Sequence, residues 1–130
     1  KVSVFQCSGG GLELKDRLQQ LNNAIKGQHL DLVVCPELFM SGYHIGEAIV
    51  DLSQPIDGKF SKSVSEIAIA NQTAIVYGYP ERTNDAIYNS AQCIDNKGQI
   101  IANHRKSFVS TNTKRRISPQ NRLIRHINCC

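Results

Sequence analysis

Two residues are of a type and setting to handle protons and negative charge, Glu37 and Lys106. Glu37 follows Pro36 directly behind the apolar run Leu32-Val33-Val34-Cys35. The carboxyl end of a strand is where α/β sheets deliver ligand-contacting side chains. A carboxylate held there among apolar neighbours loses hydration, which raises its proton affinity and suits a general base. The same spacing also fits a surface carboxylate capping a loop. Lys106 closes the run His104-Arg105-Lys106. On a strand, His104 and Lys106 share one side and Arg105 points to the other. A lysine entering from a sheet end places a fixed positive charge where an oxyanion develops; a solvated basic cluster has the same composition.

Other candidates are weaker. Gly9-Gly10-Gly11 invites a phosphate-loop reading, but position 14 is Leu where a third glycine is required, and no Gly-Lys-Ser/Thr follows. A tight turn is the better reading. The five cysteines, at 7, 35, 93, 129 and 130, form no Cys-x-x-Cys pair, which excludes a zinc ribbon or thioredoxin-type motif. Cys7, Cys35 and Cys93 each lie in a strand-like stretch, where a reduced cysteine behaves as a small buried hydrophobe. His126 with Cys129 and Cys130 has no further ligands nearby, so neither a metal nor another cofactor is expected.

These residues need elements to hold them. Val2 to Gln6 reads as a buried strand, and Leu14, Leu18, Leu21 and Ile25 form one face of an amphipathic helix ending at Lys26-Gly27. Leu32 to Cys35 is a strand covered on both faces. Residues 38–57 form a long loop with room for a short helix, and Phe60, Val64 and Ile67 mark a second helix running to about Asn71. Thr73 to Tyr79 is a strand ended by Pro80, and Tyr88–Ile94 and Gln99–His104 are two more. Asp95-Asn96-Lys97-Gly98 between them suits a tight hairpin. The order β-α-β-loop-α-β-β-β makes an α/β domain, parallel at first and closing in an antiparallel hairpin.

The net charge of +4 conceals a split. Residues 1–104 carry eight basic against eleven acidic residues, a charge of −3, whereas residues 105–130 carry seven basic residues and no acid. All nine glycines precede residue 105. With 130 residues, 41% hydrophobic and 20% charged, a disordered or collagen-like chain is excluded and one domain is expected. No apolar run approaches the ~18 residues of a membrane span, and Lys1 opens straight into Val2-Ser3-Val4-Phe5. A cytoplasmic protein without membrane contact is the expectation. Phe108 is the only aromatic residue after 104, so the basic tail lacks stacking platforms and nucleic acid is not the expected partner.

Taken in order, these segments resemble the carbon–nitrogen hydrolases, the nitrilase/amidase superfamily. Pro36-Glu37-Leu38-Phe39-Met40-Ser41-Gly42-Tyr43 is similar to that family's first catalytic segment. Tyr77-Gly78-Tyr79-Pro80-Glu81-Arg82 and Tyr88-Asn89-Ser90-Ala91 look like its central strands. Ile94 to Ile100, then His104-Arg105-Lys106, resembles its hairpin and catalytic-lysine segment. Among the branches the sequence is most like the aliphatic amidases. The resemblance implies an α-β-β-α sandwich and a Glu-Lys-Cys mechanism acting on a small amide or nitrile, with possible homo-oligomers. It assigns Glu37 as the base, Lys106 as the cation and Tyr43 as a pocket residue.

The resemblance covers residues 1–107, leaving 108–130 as a divergent or frameshifted basic tail. Lys114-Arg115-Arg116-Ile117-Ser118-Pro119 only faintly echoes the family's next loop, and no Ile-Cys-Tyr-Asp-like nucleophile segment follows. The expectation is therefore the truncated N-terminal half of the sandwich, catalytically incomplete, with one apolar sheet face uncovered. Leaving several hundred Å² wet forfeits on the order of 10 kcal/mol at ~25 cal/mol per Å². The alternative is a non-catalytic interaction protein, pairing with an intact homologue or binding an acidic partner through the tail.

Overall fold

The computed structural model describes residues 1–7, 13–43, 45–84 and 86–106. The apolar stripes become two helices, α1 (Leu14–Ile25) and α3 (Lys59–Asn71), and the short helix α2 (Ala48–Leu52) lies in the loop between them. Gly27, just past the end of α1, takes the left-handed φ of 73° that a helix stop favours. The strands are β1 (Val2–Val4), β2 (Leu32–Val34), β3 (Ala74–Arg82), β4 (Ile87–Ile94) and β5 (Ile100–Arg105).

They form one five-stranded sheet in the order β1-β2-β3-β4-β5. The first three strands are parallel and the last two antiparallel, as the element order requires. In the turn between β4 and β5, the Asp95 side chain accepts the backbone N–H groups of Lys97 and Gln99, and Gly98 supplies a φ of 79°.

Both long helices cover the same face of the sheet. Leu21 and Ile25 of α1 and Phe60, Val64 and Ala68 of α3 close over Val33, Ile75, Tyr77 and Ile94. The rings of Phe5, Phe39, Phe60, Tyr77 and Tyr79 run through this layer with successive centroids 5.5–6.0 Å apart. Such tilted and edge-to-face contacts add ~0.5–1.5 kcal/mol per pair beyond burial.

Among the described residues the other face has no covering layer. Val2 and Val4 are 66% and 71% exposed, and Leu32, Val34, Ala74 and Val76 beside them are only half-buried. This corrects the strand-by-strand reading that the first strand is buried and the second covered on both faces, and it agrees with the expectation of half a sandwich with one apolar sheet face uncovered. Strand residues alternate between faces, so only Ser3 and Val33 of these two strands turn toward the helices. One helix layer on one sheet is half of an α-β-β-α sandwich.

A second correction concerns Pro80, which lies inside β3 rather than ending it. Tyr79 and Glu81 turn their polar backbone toward β4, whereas Pro80 turns its own toward the loop before α3, where β2 has already ended. There its carbonyl accepts the Gln54 N–H, and the missing donor interrupts no ladder.

No helix among the described residues is long and apolar enough to cross a membrane. The Gly9–Gly11 turn, the Lys114–Pro119 echo, the 108–130 tail and the terminal cysteines all lie outside the described residues.

Candidate active site

Glu37 owes its position to what happens where β2 stops. Beyond Val34 the chain still follows β3: the Cys35 N–H donates to the Val76 carbonyl, and the Gly78 N–H to the Pro36 carbonyl. It then winds into a turn in which Phe39 donates to Pro36, while Ser41 and Gly42 both donate to the Leu38 carbonyl. Leu38 has a left-handed φ of 50° and is 1% exposed. That conformation costs a branched side chain ~1–2 kcal/mol, and it is held by full burial and by the Met40 N–H donating back to Gly78. Glu37 thus stands at the carboxyl end of β2 with its side chain 40% exposed.

Lys106 arrives from the far end of the sheet. Its N–H donates to the Asn89 carbonyl at 2.8 Å, extending the β4–β5 ladder by one residue. Arg105 and Lys106 then turn to opposite faces, as strand alternation requires. Lys106 Nζ donates to Glu37 Oε1 at 2.8 Å across 69 residues of sequence. The same oxygen accepts Asn89 Nδ2 at 2.6 Å. Sequence reasoning placed Asn89 only within a strand motif. A polar residue inside a strand, 4% exposed, was the signal that could have found it.

On the helix side, Arg105 grips Glu81, which is 2% exposed. Arg105 Nη2 and Nε donate to the two carboxylate oxygens at 2.6 and 3.1 Å, with Ser90 Oγ and Asn103 Nδ2 also donating at 2.7 and 3.0 Å. The guanidinium lies 4.6 Å over the Tyr88 ring. This clamp joins β3, β4 and β5 immediately before Lys106.

The electrostatics of Glu37 differ from the sequence expectation. Burial does push its carboxyl upward, but the hydrogen bonds from Lys106 and Asn89 and the charge of Lys106 outweigh it. The result lies below the ordinary carboxylate range. Glu37 is therefore ionised and able to accept a proton at neutral pH.

Tyr43 lines a shallow surface cleft together with Glu37, Phe39, Cys7 and Arg17. The structure thus gathers Glu37, Lys106 and Asn89 by hydrogen bonds and sets Tyr43 beside Glu37. Cys7, Cys35 and Cys93 are free thiols. Burial raises the Cys35 and Cys93 thiols above their ordinary value, so neither is a thiolate at neutral pH. Among the described residues no three His, Cys, Asp or Glu side chains converge to hold a metal.

Comparison with known proteins bears on the fold and the family. The protein named "Hydrolase in pqqF 5'region" of Pseudomonas protegens is 44% identical over 112 residues, which cover 84% of this chain and 39% of its own length. An (R)-stereoselective amidase of a Pseudomonas species is 25% identical over 125 residues, 95% of this chain and 45% of that protein. An amidase from Nesterenkonia sp. superimposes with a TM-score of 0.73 at 20% identity, over 85% of this chain and 44% of its own. At that identity the likeness establishes the fold, an α/β layer of the nitrilase type. The chain spans less than half the length of these relatives. The carbon–nitrogen hydrolase family matches residues 1–124, continuing past residue 107. On a match of that extent, the chain belongs to the carbon–nitrogen hydrolase family.

Proposed function

We propose that this chain carries the base-and-ammonium half of a site that hydrolyses the C–N bond of a small, non-peptide amide or nitrile. The observation that supports it is the contact between Lys106 Nζ and an ionised Glu37 at the end of β2. In this reading Glu37 takes the proton of a cysteine thiol, and the thiolate attacks the amide carbon. Lys106 faces the negative charge that develops on the oxygen, and Glu37 returns its proton to the departing ammonia. Water then releases the acid from the thioester. Tyr43 lines the pocket for the acyl group.

Residues 1–107 form the hydrolase portion in this reading, and 108–130 a divergent tail. In this reading the nucleophile comes from outside the described residues: Cys35 and Cys93 are held as thiols, and the Cys7 sulfur meets Arg17 Nη1 at 3.7 Å and shares no hydrogen bond with Glu37 or Lys106 among the described residues. Three free thiols suit a reducing compartment such as the cytoplasm.

The test is ammonia release from short aliphatic amides and nitriles. The 130-residue chain alone gives no turnover. A chimaera in which residues 1–106 replace the matching part of an intact family amidase turns over. In that chimaera Glu37→Gln and Lys106→Met each cost about 10²–10⁴-fold in kcat/KM. An active chimaera indifferent to Glu37→Gln overturns the assignment. Turnover by the 130-residue chain that disappears on Cys129→Ala or Cys130→Ala shows instead that the tail supplies the thiol.

A further inference from the structure

We propose that Asn89 is a positioning residue that decides which oxygen of Glu37 exchanges protons with substrate and nucleophile. The inference rests on the reading of Glu37 as the base and adds a residue that reading does not contain.

Asn89 touches both members of the pair. Its side-chain Nδ2 donates to Glu37 Oε1 at 2.6 Å, and its backbone carbonyl accepts the Lys106 N–H at 2.8 Å. It therefore ties the base to the strand end that delivers the cation. Asparagine is a poor strand former, and burying its amide without a partner costs ~1–3 kcal/mol. At 4% exposure inside β4 it needs a polar contact, and the one its amide makes is with Glu37.

The consequence is an asymmetric carboxylate. Each carboxylate oxygen offers two lone pairs. On Oε1 both are engaged, one by Asn89 Nδ2 and one by Lys106 Nζ. Oε2 accepts no hydrogen bond from the described residues. A proton reaching Oε1 has to displace an amide or an ammonium donor, whereas one reaching Oε2 displaces only water. Lysine alone does not impose this choice, because its half-exposed ammonium can move between the two oxygens. The buried, two-torsion Asn89 amide cannot follow such a movement, and so it makes Oε2 the working oxygen.

NMR titration of the full chain tests this without turnover. In the wild type, the Asn89 side-chain amide resonances shift with the same midpoint as the Glu37 carboxyl carbon. Asn89→Leu keeps the volume and deletes the donor, moving the Glu37 midpoint up by about one pH unit. Asn89→Asp places a second carboxylate against the first, raises the midpoint further and splits it into two coupled steps. A structural role alone changes none of these midpoints while β4 and β5 keep their backbone shifts. The proposal is overturned by Asn89 amide resonances that stay still as Glu37 titrates, a wild-type measurement that decides even where the leucine variant fails to fold. It is equally overturned by a folded Asn89→Leu chain with the wild-type Glu37 midpoint. An inactive chimaera speaks against the hydrolase reading and leaves these titrations to decide on Asn89 separately.

Discussion

Gly78→Ala tests how the sheet builds the site. Gly78 lies in β3 beneath the Glu37 turn. A Cβ placed on it comes 2.5 Å from the Leu38 nitrogen and 2.8 Å from the Glu37 Cα. Ordinary contact begins near 3.4 Å, so the turn has to lift by about 0.9 Å. Neither partner is a side-chain tip that can swing aside. Both are backbone, pinned to β3 by Gly78 N–H to Pro36 and by Met40 N–H to Gly78. Overpacking against such neighbours costs about 1–3 kcal/mol. At roughly 3–6 °C per kcal/mol for a chain of this size, a mid-range cost of about 2 kcal/mol lowers the melting temperature by about 6–12 °C.

The flexible Lys106 stem can follow the same lift, but the contact of the buried Asn89 amide with Glu37 stretches from 2.6 Å to roughly 3.5 Å, beyond ordinary hydrogen-bonding distance. Glu37 then loses one of the donors that together outweigh its burial, and its carboxyl midpoint rises toward the ordinary value. Thermal unfolding by circular dichroism reads the first effect, and carboxyl-carbon NMR the second. A variant that melts with the wild type and keeps the Glu37 midpoint refutes the reasoning. In that event the close approach of β3 does not hold the turn.

The clamp and the open sheet face can be probed in the same way. Arg105→Met keeps the aliphatic stem and removes the cation from Glu81, whose carboxyl lies below the ordinary range because the Arg105, Ser90 and Asn103 hydrogen bonds outweigh burial. A depressed carboxylate contributes stability above its unfolded pKa and loses it as pH falls through the folded one. Urea unfolding should therefore show the variant about 2–3 kcal/mol weaker at pH 7, discounted for the half-exposed guanidinium, with the gap closing below about pH 4. A gap independent of pH contradicts this. For the sheet face, Val4→Thr at 71% exposure should cost less than about 0.5 kcal/mol, and Val33→Thr at 0% about 1–3 kcal/mol, by the same assay. Equal costs show that the β1 face is covered in solution.

Much of the architecture was legible because it is local. Leu14, Leu18, Leu21 and Ile25 announce α1 through period alone, and Asp95 to Gly98 announce the hairpin through turn chemistry. Strand alternation separates Arg105 from Lys106 with no knowledge of the fold. The misreadings share a cause. An apolar strand says that it can be buried, not which faces have a neighbour, so the strand pattern alone covers β1 and β2, whereas the resemblance to half a sandwich leaves one face open. Pro80 reads as a strand end in isolation, and it is tolerated only because β2 has already stopped beside it.

The site divides in the same way. The types of Glu37 and Lys106, and the strand ends they occupy, are properties of the sequence, since a strand's exit and its side-chain alternation follow from its own residues. That these two meet across 69 positions on one oxygen, with Asn89 as the third party, depends on the order and register of β2, β3, β4 and β5. The charge state of Glu37 changed direction for that reason. Hydration lost at a strand end is local and raises proton affinity, whereas the donors that reverse it are brought there by non-local pairing, which only the assembled sheet decides.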